Sequence, residues 1–194
     1  MSLAYCEICH VRPPPSASLD CSLTDIKDVH STLSGLLVAV NDGFNYPRIV
    51  NVSGVGGSVQ VQVLAGSVST SVTKGADGLN IDSIYFNTGV SATTPLVGAS
   101  SVFFESTSRL VYFCSKTRIG RIEADGTLTV IGGVLPSEEA AVIFGSLANR
   151  TTFSALSGLR AGQASDELLV TDTGAQAVYR LNLTSRVVVA VAGG

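Results

Sequence analysis

Tryptophan is absent, methionine occurs once, and only two histidines are present. Histidine-built metal centres and imidazole-based catalysis have little to draw on, because His10 and His30 are the whole supply. Charge is scarce, at 14% of residues, and lysine is confined to Lys27, Lys74 and Lys116. Twelve cations against fifteen anions leave a net charge of −3. The dense basic stretches that neutralise phosphates are missing, so no nucleic-acid partner is expected. No apolar run reaches the roughly 18 residues of a membrane-crossing helix. Disorder is excluded as the main state, since 45% of residues are hydrophobic and disordered chains are polar and highly charged.

The chain of 194 residues is long enough to bury a core without staples. Its cysteines are unevenly placed. Cys6, Cys9 and Cys21 crowd the start and Cys114 stands alone. Cys6-Glu7-Ile8-Cys9-His10 matches a haem-attachment pattern, but Met1 is the only methionine for a second axial ligand. Zinc on Cys6, Cys9, Cys21 and His10 or His30 is a second reading, weakened because Cys9 and His10 are adjacent and no second C-x-x-C exists. The favoured reading is two disulfides among Cys6, Cys9, Cys21 and Cys114, in any of three pairings, with no metal and no cofactor. Each full pairing staples the N-terminal segment to the segment around Cys114. Three N-x-S/T sequons, at Asn51, Asn149 and Asn182, also lean toward an oxidising, secreted setting. Asn149 is expected to be the most accessible of them, and Asn51 to lie inside a strand.

The sequence repeats. VQVQVLAG (59–66), TLTVIGG (127–133) and VVVAVAGG (187–194) are each a β-branched run closed by glycine. Upstream lie LLVAVNDGFNYPRIVN (36–51), LVYFCSKTRIGRIE (110–123) and ELLVTDTGAQAVYRLN (167–182), each an apolar strand, a polar break and a short strand. A further strand precedes the second and third units, SSVFFE (100–105) and SGLRAG (157–162). The unit is four short antiparallel strands. The breaks between them carry turn chemistry such as Asp125-Gly126.

The third unit resembles an NHL-type β-propeller blade in "LLVTD", "TGAQAVYRL" and "VAVAGG", and the second resembles one less closely. The resemblance covers about residues 34–194. It implies an all-β fold: a partial, three-bladed, NHL-like propeller with short helical insertions and a disulfide-tied N-terminal segment. The expected organisation is a Cys-rich segment at 1–33, then repeats at about 34–66, 67–133 and 134–194. The closing glycines are spaced more widely than the ~40–50 residues of ordinary blades, so the later blades carry insertions. Residues 67–99 read as a long loop, with an extra strand near Ile84 to Phe86. Ser137 to Ala148 reads as a helix behind an N-cap, and Thr24 to Leu33 as a second short helix. Three blades leave open edges. An open arc capped by the insertions is favoured over half of a dimeric ring or a truncated ring.

Asp42 and Asp172, with Arg48, Arg118, Arg121 and Arg180, recur at matching places. In blades of this kind such Asp and Arg residues commonly brace each other. As a ligand cleft, Arg118, Arg121 and Arg180 would suit a small acid or an acidic sugar, with the helix at 137–148 as one wall. No catalytic constellation is seen and no enzyme activity is expected. The combination resembles a receptor or adhesion ectodomain, and more narrowly the ectodomains of trypanosome insect-stage surface antigens of the procyclic-specific type. That resemblance implies a glycosylated extracellular module of a single-pass membrane protein, binding a small-molecule or protein ligand. The competing expectations are an intracellular propeller scaffold that assembles as a dimer, and a propeller hydrolase or lyase cut short.

Overall fold

A computed structural model of the chain describes residues 25–42, 46–55, 58–66, 96, 98–133, 148 and 151–193. These residues are all-β, in three four-stranded antiparallel sheets, each formed by consecutive strands. Sheet one holds β1 (Ile26–Ser31), β2 (Gly35–Asp42), β3 (Tyr46–Val55) and β4 (Ser58–Ala65). Sheet two holds β5 (Ser101–Glu105), β6 (Leu110–Ser115), β7 (Arg118–Ile122) and β8 (Leu128–Gly132). Sheet three holds β9 (Leu156–Ala161), β10 (Glu167–Asp172), β11 (Ala177–Asn182) and β12 (Val188–Gly193).

The sheets repeat one another in irregularities as well as in strand order. The third strand meets the fourth through a bulge at Ile49/Val50, Ile119/Gly120 and Val178/Tyr179. A bulge adds a residue to one strand and sharpens the local twist. Just past each bulge pair sits a glycine with positive φ: Gly66 and Gly133 at 95°, Gly193 at 77°. Each presses on the backbone entering the third strand. A Cβ there would lie 2.4 Å from Pro47 O, 2.3 Å from Thr117 O or 2.0 Å from Gln176 O respectively. The glycines that end the repeats therefore serve both conformation and close approach. The third repeat closes on Gly193, one residue before the glycine that sequence comparison aligns.

Alternation along the strands gives each sheet two faces. Leu37, Ala39, Ile49 and Ala65 of sheet one pack with Val102, Val111, Phe113 and Leu128 of sheet two, joined by Leu96 and Ala99. The opposite face of sheet two carries Phe103, Tyr112, Cys114, Ile119 and Ile131, which pack on Leu156, Leu159, Leu168 and Tyr179 of sheet three. The sheets thus stack in chain order with sheet two in the middle. The far face of sheet one is a valine cluster built on Val38, Val40 and Val50.

One expectation is overturned. Residues 26–31 are a strand, not part of a short helix over Thr24 to Leu33. They pair along β2 from Asp28↔Ala39 to Ser31↔Leu36, so sheet one takes its first strand from the segment assigned to the N-terminal region. Period-2 patterning was hidden because its polarity is inverted. The half-buried positions are Asp28 and His30, while Ile26 and Val29 are 50% and 44% exposed. The expected helix at 137–148 and the strand near Ile84 to Phe86 lie outside the described residues, apart from Ala148. That residue is buried, accepts a hydrogen bond from Gly133 N at 2.9 Å and donates one to Arg186 O at 2.6 Å.

Candidate functional site

The first strands of the three sheets, β1, β5 and β9, converge, and one polar cluster joins all three. Asp28 on β1 is its centre. Arg160 on β9 donates from Nη1 to Asp28 Oδ2 and from Nη2 to Oδ1, both at 2.9 Å. Ser101 on β5 donates its hydroxyl to Asp28 Oδ2, and Val102 N donates to the same oxygen at 3.1 Å. Ser101 Oγ in turn accepts from Leu159 N at 3.0 Å. A planar guanidinium matched to a carboxylate is the strong form of this contact. Burial would push the Asp28 carboxyl up, but the hydrogen bonds from Arg160, Ser101 and Val102 and the Arg160 charge outweigh it and hold the group below its ordinary range.

His30, two residues along β1, sits edge-on to Phe103 with ring centroids 5.0 Å apart. Burial, and then the Arg160 charge, lower its pKa, so the ring is neutral at pH 7. Cys114 lies on β6 with no exposed surface. Its burial, reinforced by the Asp28 and Asp172 carboxylates, raises its pKa far out of the reactive range.

The cluster holds a carboxylate, a hydroxyl, an imidazole and a thiol, the ingredients of nucleophilic catalysis. Its wiring is that of a brace. The Ser101 proton goes to a carboxylate already gripped by a guanidinium, which is a poor base, and the Cys114 thiol is kept protonated. Nucleophilic chemistry needs the reverse, a base that takes the proton away. Among the described residues no group of three or more His, Cys, Asp or Glu could hold a metal ion.

Asp172, singled out in the sequence, is the second brace. It is buried at the end of β10 and accepts four backbone hydrogen bonds. The donors are Ser154 N at 2.7 Å, Ala155 N at 2.8 Å, and Gly174 N and Ala175 N at 3.1 Å. It ties the turn after β10 to the segment entering β9, so its partners are peptide groups and not an arginine. The register puts Ser115, also buried, at the matching place in sheet two. The Asp42 side chain lies outside the described residues.

Arg121 and Arg180 are each engaged within their own sheets. Arg118 is buried beside Gly133, as Arg48 is beside Gly66: a Cβ on either glycine would meet the arginine Cγ at 3.0 or 3.1 Å. Arg121 bonds Glu123 Oε1 from Nε at 2.8 Å and from Nη2 at 2.6 Å, and the same oxygen accepts the Thr129 hydroxyl. Arg180 stands 3.6 Å from Glu167 across β10 and β11. Of Arg118, Arg121 and Arg180, two belong to sheet two and one to sheet three.

Cys114 is a free thiol and not the staple expected of it. Its physical setting is the apolar interface between sheets two and three. Cys6, Cys9, Cys21 and His10 lie outside the described residues, as does Asn149. Asn51 is half-buried in β3 between Leu37 and Gln62, as expected for a strand residue. Asn182 has both ends of its amide engaged. Nδ2 donates to Asp166 at 2.8 Å, and Oδ1 accepts from Thr184 N at 3.0 Å and Ser185 N at 2.7 Å.

Sequence reasoning passed over Asp28, Ser101 and Arg160. The available signal was a run, Lys27 to Ser31, in which pairs of polar residues flank Val29. No family model matches the chain, and no curated protein matches it.

Proposed function

We propose that the three sheets are blades of a partial, NHL-like β-propeller and that the chain is the ligand-binding ectodomain of a cell-surface receptor or surface antigen. The observation that carries this reading is the threefold recurrence of one bulge and one glycine contact in sheets stacked in chain order. Repeated sheets of this kind form a rigid frame that presents loops at its ends. The polar groups at the centre of the frame are engaged in holding it together, which favours recognition over catalysis. The crowded cysteines Cys6, Cys9 and Cys21 and the sequons support an extracellular placement, as does the resemblance to procyclic-specific surface antigens. Small acids and acidic sugars are the ligand class proposed, as the class that suits an arginine fork.

Production of the chain through a eukaryotic secretory pathway tests the reading. The expected product is secreted, carries glycan at Asn149, and binds a member of an acid and acidic-sugar panel without converting it. Retention and degradation in the pathway, or turnover of a panel compound, would overturn it. A second reading, an intracellular scaffold, draws on one observation, the free thiol of Cys114. Unglycosylated chain that is stable only in reducing cytosol would favour it.

A further inference from the structure

Register fixes which residues of the three sheets occupy the same place. Leu37, Ala39, Ile49 and Leu64 of sheet one correspond to Tyr112, Cys114, Ile119 and Ile131 of sheet two. The first set packs against sheet two and the second against sheet three. Tyr112, Cys114, Ile119 and Ile131 are at most 3% exposed. In sheet three the same places hold Leu169, Thr171, Val178 and Val191. None of these is buried, and Val191 is 48% exposed. A face that is covered by another sheet in two repeats, and in the third carries an exposed Val191 beside half-buried Leu169, Thr171 and Val178, has the composition of an interface without a full cover.

The charges on this face suit a copy of itself. Arg180 and Glu167 lie beside Leu169 on neighbouring strands. Their contact is loose, at 3.6 Å with Arg180 47% exposed, whereas the corresponding Arg121 is held by Glu123 at 2.6 Å. A two-fold axis brings the same patch against itself, so that residue i meets j and j meets i. Arg180 of one copy then faces Glu167 of the other, twice, around the paired valines and leucines. We propose that the outer face of sheet three, centred on Leu169, Val178 and Val191, is the isologous interface of a homodimer. This proposal does not rest on the ligand reading.

Sedimentation velocity of the full chain over a concentration series tests it. The wild type is expected to sediment as a dimer, and Val191→Glu as a folded monomer with half the mass. Arg180→Glu is expected to weaken association at least tenfold, and the double swap Arg180→Glu, Glu167→Arg to restore it, because each arginine again meets an acid across the axis. Val59→Glu, at an equally exposed valine on sheet one, is the control and is expected to remain dimeric. A wild type that stays monomeric, a higher assembly, dissociation by Val59→Glu, or a double swap no better than Arg180→Glu would each overturn the proposal.

Discussion

Arg160 grips Asp28 through two parallel hydrogen bonds, although 132 positions of chain separate them. The pair ties the first strand of sheet one to the first strand of sheet three, and Ser101 of sheet two completes the contact. Every sheet is thus held at its inner edge by polar bonds, while the apolar interfaces lie between its faces. The division has energetic meaning: hydrophobic burial is large and non-directional, whereas the forked pair fixes position.

Asp28→Asn is expected to destabilise the fold by about 1–3 kcal/mol at neutral pH, the range for hydrogen bonds to a charged group. Arg160→Ala should cost less, because half of that side chain is exposed and the ion pair is screened. The folded pKa of Asp28 is depressed, so its stabilisation is present above the unfolded value of about 3.9 and is lost as pH falls through the folded value. Urea unfolding of wild type and Asp28→Asn across that range checks the sign. The gap between them should narrow in acid; a constant gap would show that the carboxylate charge is not what matters.

Asp172→Ala removes the acceptor of four backbone N–H groups at one end of sheet three. An expected loss of about 2–4 kcal/mol follows from leaving buried donors unsatisfied. Hydrogen exchange should show the change first at Ala155, Gly174 and Ala175. Unchanged protection there would refute the bracing role.

Two glycines separate conformation from crowding. Gly126 has φ 81° and no neighbour within 4 Å of an added Cβ, so Gly126→Ala should cost about 1–2 kcal/mol for the left-handed backbone alone. Gly133 has φ 95° and the Thr117 carbonyl 2.3 Å away, so Gly133→Ala should cost about 3 kcal/mol or more. Thermal unfolding of the two variants gives the comparison. Equal losses would mean that the glycine does not seat against the third strand.

Cys114 should resist alkylation in the folded chain and react fully once unfolded, since burial both shields the thiol and keeps it protonated. Peptide mapping after brief iodoacetamide treatment reads this site apart from the other cysteines. Rapid labelling under native conditions would show that the interface between sheets two and three opens. Cys114→Ser should destabilise by about 1–3 kcal/mol, the cost of a buried hydroxyl lacking a partner.

The repeats were legible because their signals are local: β-branched runs closed by glycine, with turn residues between. Gly66 and Gly133 were visible in this way, and so was the recurrence of Arg121 and Arg180, which register places opposite Tyr112 and Leu169. Asp172 stood out by position, but its role did not, because peptide N–H groups leave no trace in a sequence. The central cluster was illegible for two reasons. Asp28 and His30 invert the usual polarity of a half-buried strand, so β1 reads as amphipathic helix or loop. Ser101 and Arg160 gain meaning only through a contact between distant segments. Arg180 and Arg121 are equivalent in register yet bonded differently, a distinction set by where Glu123 and Glu167 fall.

The contact between Asp28 and Arg160 also sets an order in time. A ribosome delivers Asp28 first and Arg160 132 positions later, an interval of about 7–26 s at ordinary elongation rates of ~5–20 residues per second. Each sheet is made of consecutive strands, so sheets one and two can pair while the third is still being synthesised. For the part of that interval that follows Ser101 and Val102, 73 and 74 positions behind Asp28, the carboxylate can be held by them but not by its guanidinium. The last sheet therefore arrives at a carboxylate already in place, and closure of the ion pair marks the moment at which all three inner strands are docked.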